Sequence, residues 1–137
     1  MDAAATQDRL AAVPLFSDVS AESLTHLAAI ATSVETTPGQ VLIQQGAAGS
    51  GLFVIEEGTV VVERPGLDEI ELGPGQFFGE LALLTDRGVR VARVRARTAG
   101  RCVAVPRAAF VDLLHREPSL AVSLLSVLAE RLAATSS

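Results

Sequence analysis

Short apolar runs separated by glycine- and proline-containing turns fill the middle of this chain and limit what it can fold into. The runs are too short for helices and rich in β-branched residues, as in strands. They are Val41–Ile43, Leu52–Ile55, Thr59–Glu63, Ile70–Leu72, Val91–Thr98 and Arg101–Val105. Short strands with regular turn signals are typical of barrels and jelly rolls. The pattern predicts a mainly β fold, a β-roll or jelly roll.

Helical patterns flank the predicted strands on both sides. Ser20 stands at an N-cap position, and the apolar residues from Leu24 to Val34 recur at helical spacing until Thr37-Pro38-Gly39. After Pro106, an apolar stripe runs to Glu117-Pro118. We therefore predict one N-terminal helix and two C-terminal helices around the roll.

The last helix is predicted to start near Pro118. Its leucines, from Leu120 to Leu132, lie close to a three-and-four spacing. Such a stripe can cover the roll or meet the same helix of a second copy, so a homodimer through this helix is one of two interpretations.

The length of 137 residues suits one domain, and we predict a single domain over residues 1–137. The helix and roll are assigned to about 14–106 and the C-terminal helices to 107–135. A hydrophobic content of 49% with 20% charged residues predicts a folded chain. The net charge of -5 argues against direct binding of nucleic acid, which relies on basic faces.

The location of the chain is predicted from its cysteine and its apolar runs. Cys102 is the one cysteine and lies in an apolar strand, so a buried thiol in a reducing compartment is expected. The start of the chain lacks a basic leader, and no apolar run is long enough to insert into a membrane. We expect a cytoplasmic protein.

The stretch Phe77–Leu84 carries the clearest chemical signal. It is predicted to begin as a strand, to pass through Gly79 and to continue with residues that favour a short helix. Free N–H groups at a helix N-terminus bind anions, and a glycine permits close approach. Downstream, Arg90 can return to the same point with a guanidinium that fits two phosphate oxygens. The carboxylate of Glu80 can accept a hydrogen bond from a ribose hydroxyl or hold Arg90 in place.

These residues resemble the phosphate-binding cassette of cyclic-nucleotide-binding domains. The block Phe78-Gly79-Glu80-Leu81-Ala82-Leu83, a gap, then Arg90–Ala96 is similar to that cassette. An upstream pattern with Gly46, Gly49 and Gly58 matches in register. The family includes protein kinase A regulatory subunits and the catabolite activator protein. The resemblance implies a regulatory sensor module with cAMP as ligand, or cGMP, and no cofactor.

The family roles transfer residue by residue. The resemblance implies backbone contacts to phosphate and sugar from Gly79, Leu81 and Ala82, a ribose contact from Glu80 and a phosphate contact from Arg90. Residues Val91 and Ala92 continue the cassette. Where the family usually has Ala, Ser or Thr, Val91 has no hydroxyl to read a base, which favours cAMP over cGMP without settling the choice.

The contacts to the base are less defined by the sequence. The chain has neither Trp nor Tyr, so no aromatic lid of those types is available. Near its end, Thr135 and Ser136 are similar to a Thr-Ser pair that touches adenine in the catabolite activator. They are candidate base contacts, and a frayed polar terminus is the alternative. By contrast, Arg93 and Arg95 are interpreted as outward-facing residues of an alternating strand.

Three other functions compete with a sensor. An enzyme is disfavoured because only His26 and His115 could serve a metal site and no catalytic constellation appears; no metal is expected. A DNA-binding regulator would need a further domain, so an effector domain in a longer parent is one expectation. A roll that has lost its ligand and serves as a protein-interaction or dimerisation module is the other alternative.

Overall fold

The computed structural model describes residues 3–43, 51–79 and 93–136, and structural statements below refer to these residues. The helices are α1 (Ala3–Ala11), a 3-10 helix (Pro14–Phe16), α2 (Ala21–Ile30), α3 (Arg107–Arg116) and α4 (Pro118–Ser136). The strands are β1 (Thr32–Thr36), β2 (Val41–Ile43), β3 (Gly51–Glu57), β4 (Val60–Glu63), β5 (Ile70–Leu72), β6 (Phe77–Phe78), β7 (Arg93–Ala96) and β8 (Gly100–Pro106).

The strands form two antiparallel sheets of four. Sheet I has the order β1-β8-β3-β6 and sheet II the order β2-β7-β4-β5. In sheet I the longest pairing joins β3 to β8, from Gly51 opposite Pro106 to Glu57 opposite Arg101. The prediction of a mainly β roll with flanking helices is confirmed.

Sheet I is the central layer because both of its faces are buried. Alternate residues of β3, such as Leu52 and Val54, pack with the helices, while Ile55 packs with sheet II. Period-two alternation along a strand explains this division. Among the described residues, seven buried side chains form the inter-sheet core: Ile43, Ile55, Val60, Leu72, Phe78, Val94 and Cys102. The result is three layers, with helices, sheet I and sheet II in that order.

The N-terminal part departs from the predicted single helix. A further helix, α1, precedes α2, and its Leu10 is fully buried in the core between the helices and sheet I. The sequence interpretation also extended α2 to Val34, which is wrong. Helix α2 ends at Ile30, and Thr32–Thr36 pair with β8 as strand β1. The β-branched residues of this segment favour a strand, and an edge of sheet I is available to pair with it.

Helix α4 buries one face on the domain and exposes the other. On the inner face, Leu120 and Leu124 are almost fully buried, whereas Val122, Leu125 and Leu132 are 65%, 66% and 67% exposed. None of the helices in the described ranges is long and apolar enough to cross a membrane. The prediction that this helix starts near Pro118 is confirmed. Leu120 and Leu124 pack on the domain itself, and an apolar stripe on the other face stays uncovered.

Candidate functional site

Two connections between the sheets start and end side by side. Segment 44–50 runs from β2 to β3, and segment 80–92 runs from β6 to β7. In sheet I, Phe78 pairs with Phe53, so Gly79 lies beside the start of β3. In sheet II, Ile43 pairs with Val94, so the end of β2 lies beside the start of β7. Both ends of segment 80–92, which contains most of the predicted cassette, are therefore attached beside the ends of segment 44–50.

The first predicted site residue, Gly79, follows β6 with a φ of +94°. This left-handed backbone is accessible to glycine and strained for residues with a Cβ. The turn out of β6 therefore accounts for glycine at this position. The other predicted cassette residues lie outside the described residues: Glu80, Leu81, Ala82, Arg90, Val91 and Ala92.

An apolar surface lines the inner face of the roll near these attachment points. Its members are half-buried and pack against the inter-sheet core: Leu42, Phe53, Val62 and Ile70. The ring of Phe53 stacks on that of Phe78, with centroids 5.0 Å apart and an angle of 5° between the planes. Sequence reasoning did not single out this surface, although strand alternation would have placed its members inside. Such a surface can contact a flat apolar or aromatic group.

Arg131 connects helix α4 to strand β6. Its guanidinium donates a 2.5 Å hydrogen bond to the carbonyl oxygen of Phe77 and lies 4.6 Å from the centroid of the Phe77 ring. An arginine over an aromatic face gains from the ring quadrupole as well as from the hydrogen bond. No role was predicted for Arg131 from the sequence, and its contact with Phe77 spans 54 residues of chain.

The two predicted base contacts, Thr135 and Ser136, lie in the last turn of α4. Their side chains are outside the described part of the chain. Because a helix rises about 1.5 Å per residue, Thr135 is about 6 Å along the axis from Arg131.

Three arginines in or directly after β7 face outward and are paired with glutamates: Arg93, Arg95 and Arg97. The guanidinium of Arg93 lies 2.9 Å from Glu63, and that of Arg97 lies 2.9 Å from Glu71. A third, Arg95, also approaches Glu63, at 3.5 Å. These pairs confirm the outward interpretation of Arg93 and Arg95. The arginines carry little unbalanced positive charge on this face.

Two ionisable groups within the described ranges have pKa values raised by burial. Burial raises the pKa of the Cys102 thiol to about 11, which keeps it protonated and unreactive. Burial also raises the pKa of Glu56, against the opposing pull of Arg9 and Arg101. Within residues 3–43, 51–79 and 93–136, no cluster of His, Cys, Asp and Glu could hold a metal ion.

Comparison with known proteins connects this geometry to one family. The sequence model of the cyclic nucleotide-binding domain matches residues 33–117, more than half of the chain. The match includes both sheets and the two inter-sheet connections, and it ends at the junction of α3 and α4.

Individual relatives and structures agree with this match. The human potassium/sodium hyperpolarization-activated cyclic nucleotide-gated channel 2 is 32% identical over 123 residues, which cover 90% of this chain and 14% of the channel. The catabolite activator protein of Thermus thermophilus is 31% identical with a TM-score of 0.73, covering 88% of this chain and 58% of that one. The regulatory subunit of a cAMP-independent protein kinase A from Trypanosoma brucei is 28% identical with a TM-score of 0.77, covering 93% and 48%. The chain spans less than two thirds of each of these proteins.

Proposed function

The chain belongs to the cyclic nucleotide-binding domain family, and from this premise we propose that it is a sensor module that binds cAMP in preference to cGMP. The observation that carries the proposal is the backbone of Gly79, which turns out of β6 with a positive φ where the predicted cassette begins. A glycine there has no Cβ that would keep an anion away from the backbone.

The cyclic phosphate is assigned to the segment that begins at Gly79. Backbone N–H groups of residues 79–82 donate to the phosphate oxygens, and the Arg90 guanidinium supplies a charge-assisted fork. Residues Val91 and Ala92 contribute backbone contacts, since neither side chain can donate a hydrogen bond. A site of this kind suits a small anion better than a polyanion, in keeping with the net charge of -5.

The ribose is assigned to Glu80. A cyclic nucleotide has a free 2′-hydroxyl that donates a hydrogen bond, and an ionised carboxylate is an acceptor only. The same carboxylate would keep Arg90 oriented, which is a common arrangement when a charge is partly buried.

The base is assigned to the apolar inner surface and the end of α4. The half-buried ring of Phe53 and its neighbours offer a flat apolar surface. Thr135 and Ser136, in the last turn of α4, are the proposed polar contacts. Hydroxyl groups at these two positions can bond to the amino and ring nitrogens of adenine.

Selectivity for cAMP is expected to be modest. At the position where a hydroxyl could read guanine, Val91 has none, and a single neutral hydrogen bond contributes about 0.5–1.5 kcal/mol. Membership of the family does not fix the ligand, because one related structure belongs to a kinase described as cAMP-independent. Both nucleotides therefore have to be measured.

The decisive experiment compares two arginine-to-alanine variants by calorimetric titration with cAMP. Replacement of Arg90 by Ala should weaken binding at least tenfold, because a charge-assisted fork to a desolvated phosphate is worth about 2–5 kcal/mol. The matched control is Arg97→Ala, which removes the same charge from an exposed pair with Glu71. Equal affinities for the two variants would contradict the phosphate assignment.

The alternative function, a dimerisation module, is favoured by the stripe on α4. Val122, Leu125, Ala129 and Leu132 are all exposed and follow three-four-three spacing. In this repeat Val122 and Ala129 alternate with Leu125 and Leu132, and Val followed by Leu is the order found in parallel pairs of identical helices. The flanking positions are uncharged, so two copies would not repel each other. We assign this stripe to a second copy of the chain.

The size of the stripe implies a weak dimer. Stable interfaces bury about 1,200–2,000 Å², more than one helix face of two heptads supplies, so association is expected only at high protein concentration. Sedimentation should show Leu125→Glu to be monomeric where the wild type associates. The control Leu67→Glu adds the same charge at an exposed leucine outside α4 and should associate like the wild type. Association of Leu125→Glu at wild-type strength would contradict the assignment.

The output of the module is proposed from its relatives. We assign it no catalytic activity and a cytoplasmic location, and we expect an effector in a longer parent to respond to the bound nucleotide. The matched channel is seven times longer than the aligned segment, which illustrates such an arrangement. Co-purification of the full-length parent with and without cAMP would test the link to an effector.

A further inference from the structure

One residue, Glu117, joins three helices. Its N–H donates a 2.8 Å hydrogen bond to the Leu113 carbonyl at the end of α3, and its carbonyl accepts a 2.9 Å bond from the Leu120 N–H in the first turn of α4. Its carboxylate accepts bonds from both the hydroxyl and the N–H of Ser20, at 2.7 and 3.1 Å. The last two bonds cross 97 residues of chain to the start of α2.

The hydroxyl of Ser20 is the second half of this junction. It donates to Glu117 and accepts a 3.2 Å hydrogen bond from the Ser23 N–H, which makes it the N-cap of α2. An N-cap hydroxyl that is also held by a carboxylate has a fixed orientation. The hydrogen bonds from Ser20 hold the pKa of Glu117 below its usual value, so the carboxylate is ionised at neutral pH.

The backbone at Glu117 is the place where the direction of α4 is set. Residue 117 ends α3 with φ of -126° and ψ of 80°, outside the helical region, and Pro118 begins α4. Rotation of α4 relative to α3 must change these two angles, because helices move as rigid units about short connections. Such a rotation displaces the Glu117 carboxylate relative to Ser20.

We propose that the bonds between Glu117 and Ser20 couple the start of α2 to the hinge of α4. Movement of α4 is then transmitted to the N-terminal helices, and disturbance of the α2 cap loosens the start of α4. The last step rests on the proposed function: because α4 is fastened beside Gly79 through Arg131, occupation of the ligand site would reach α2 by this route.

Hydrogen exchange of the ligand-free chain tests the coupling directly. In Ser20→Asp, the new side chain still caps α2, since Asp is a strong N-cap, but it faces the Glu117 carboxylate with a like charge. Amides in the first turn of α4 should exchange about tenfold faster, the factor that loss of a charge-assisted bond produces. Amides in the first turn of α2 should keep their protection. The control is Ser17→Asp, at another exposed serine before α2.

A double variant identifies the path. Adding Glu117→Gln to Ser20→Asp restores a donor opposite the new carboxylate and should return exchange at α4 to near the wild-type rate. Unchanged exchange at α4 in Ser20→Asp, or no recovery in the double variant, would overturn the coupling. This outcome is independent of nucleotide binding. With cAMP added, the wild type should show changes at both α2 and α4, and Ser20→Ala only at α4; failure of cAMP to bind would count against the proposed function and leave the ligand-free result standing.

Discussion

Replacement of Arg131 by Met should detach the end of α4 from the roll. Methionine keeps an apolar stem of similar length, so the change removes the charge and the donors while preserving most of the packing. A hydrogen bond to a charged group contributes about 1.5–3 kcal/mol, and a cation–π contact about 0.5–2 kcal/mol. Because Arg131 is half-buried, solvent screens part of the hydrogen bond and of the cation–π contact. We therefore expect the docking of the end of α4 to lose about 1–2 kcal/mol.

Two assays measure this weaker docking of α4. Amides in the last turns of α4 should exchange about 5- to 30-fold faster, following the tenfold change per 1.4 kcal/mol. If the end of α4 contacts the base, the dissociation constant for cAMP should rise about three- to tenfold, since the docked helix is less populated. The control is Arg116→Met, which removes an exposed pair with Asp112 within α3. Identical exchange and affinity for the two variants would refute the fastening role of Arg131.

Three further predictions concern the ligand and the buried carboxylate. Titration of Glu80→Gln should show a greater loss for cAMP than for its 2′-deoxy analogue; equal losses would place Glu80 in a structural role. In Val91→Thr, the ratio of the affinities for cAMP and cGMP should decrease, because the new hydroxyl can bond to guanine. Truncation before Thr135 should lower the same ratio only if the end of α4 contacts the base. Because the pKa of Glu56 is raised above 4.5, its protonated form favours the folded state, so its contribution to the unfolding free energy is present below pH 4.5 and lost as pH rises through the raised value. Denaturant unfolding of Glu56→Gln across this pH range should therefore show an unfolding free energy that lacks this pH dependence. A pH profile identical to that of the wild type would contradict the raised pKa of Glu56.

The β-roll itself was predictable because its signals are local. Turn glycines and prolines delimit the strands, and alternation of β7 correctly assigned Arg93 and Arg95 to the outer face. The N-cap of α2 was also visible, since Ser20 bonds to the Ser23 N–H within its own turn. Each of these features depends on residues that are neighbours in the chain.

Features that depend on distant partners were missed. Residues 32–36 continue an apolar pattern that fits a helix, and they become strand β1 because β8, more than sixty residues later, offers an edge to pair with. Helix α1 has a weak apolar pattern, and burial of Leu10 against the rest of the core stabilises it. No local sequence pattern indicates the hydrogen bond from Arg131 to Phe77 or the one from Ser20 to Glu117.

The cassette was recognised by its residues and spacing, and the fold explains the position of its first member. Glycine at 79 was predicted for close approach to an anion, and its positive φ gives a second, independent reason for glycine. The apolar inner surface around Phe53 was not predicted, because only Trp and Tyr were considered as aromatic partners of a base. Phe53 was assigned to a strand alone, although its side chain is only half-buried.

The proposed binding of cAMP is tested by calorimetric titration of the wild-type chain with cAMP, cGMP and 5′-AMP. We expect saturable binding of cAMP and binding of cGMP that is about two- to tenfold weaker. Binding of 5′-AMP should be much weaker, because its open, doubly charged phosphate does not fit a site built for a single cyclic anion. Absence of heat with all three ligands, or binding of 5′-AMP as tight as that of cAMP, would contradict the proposal.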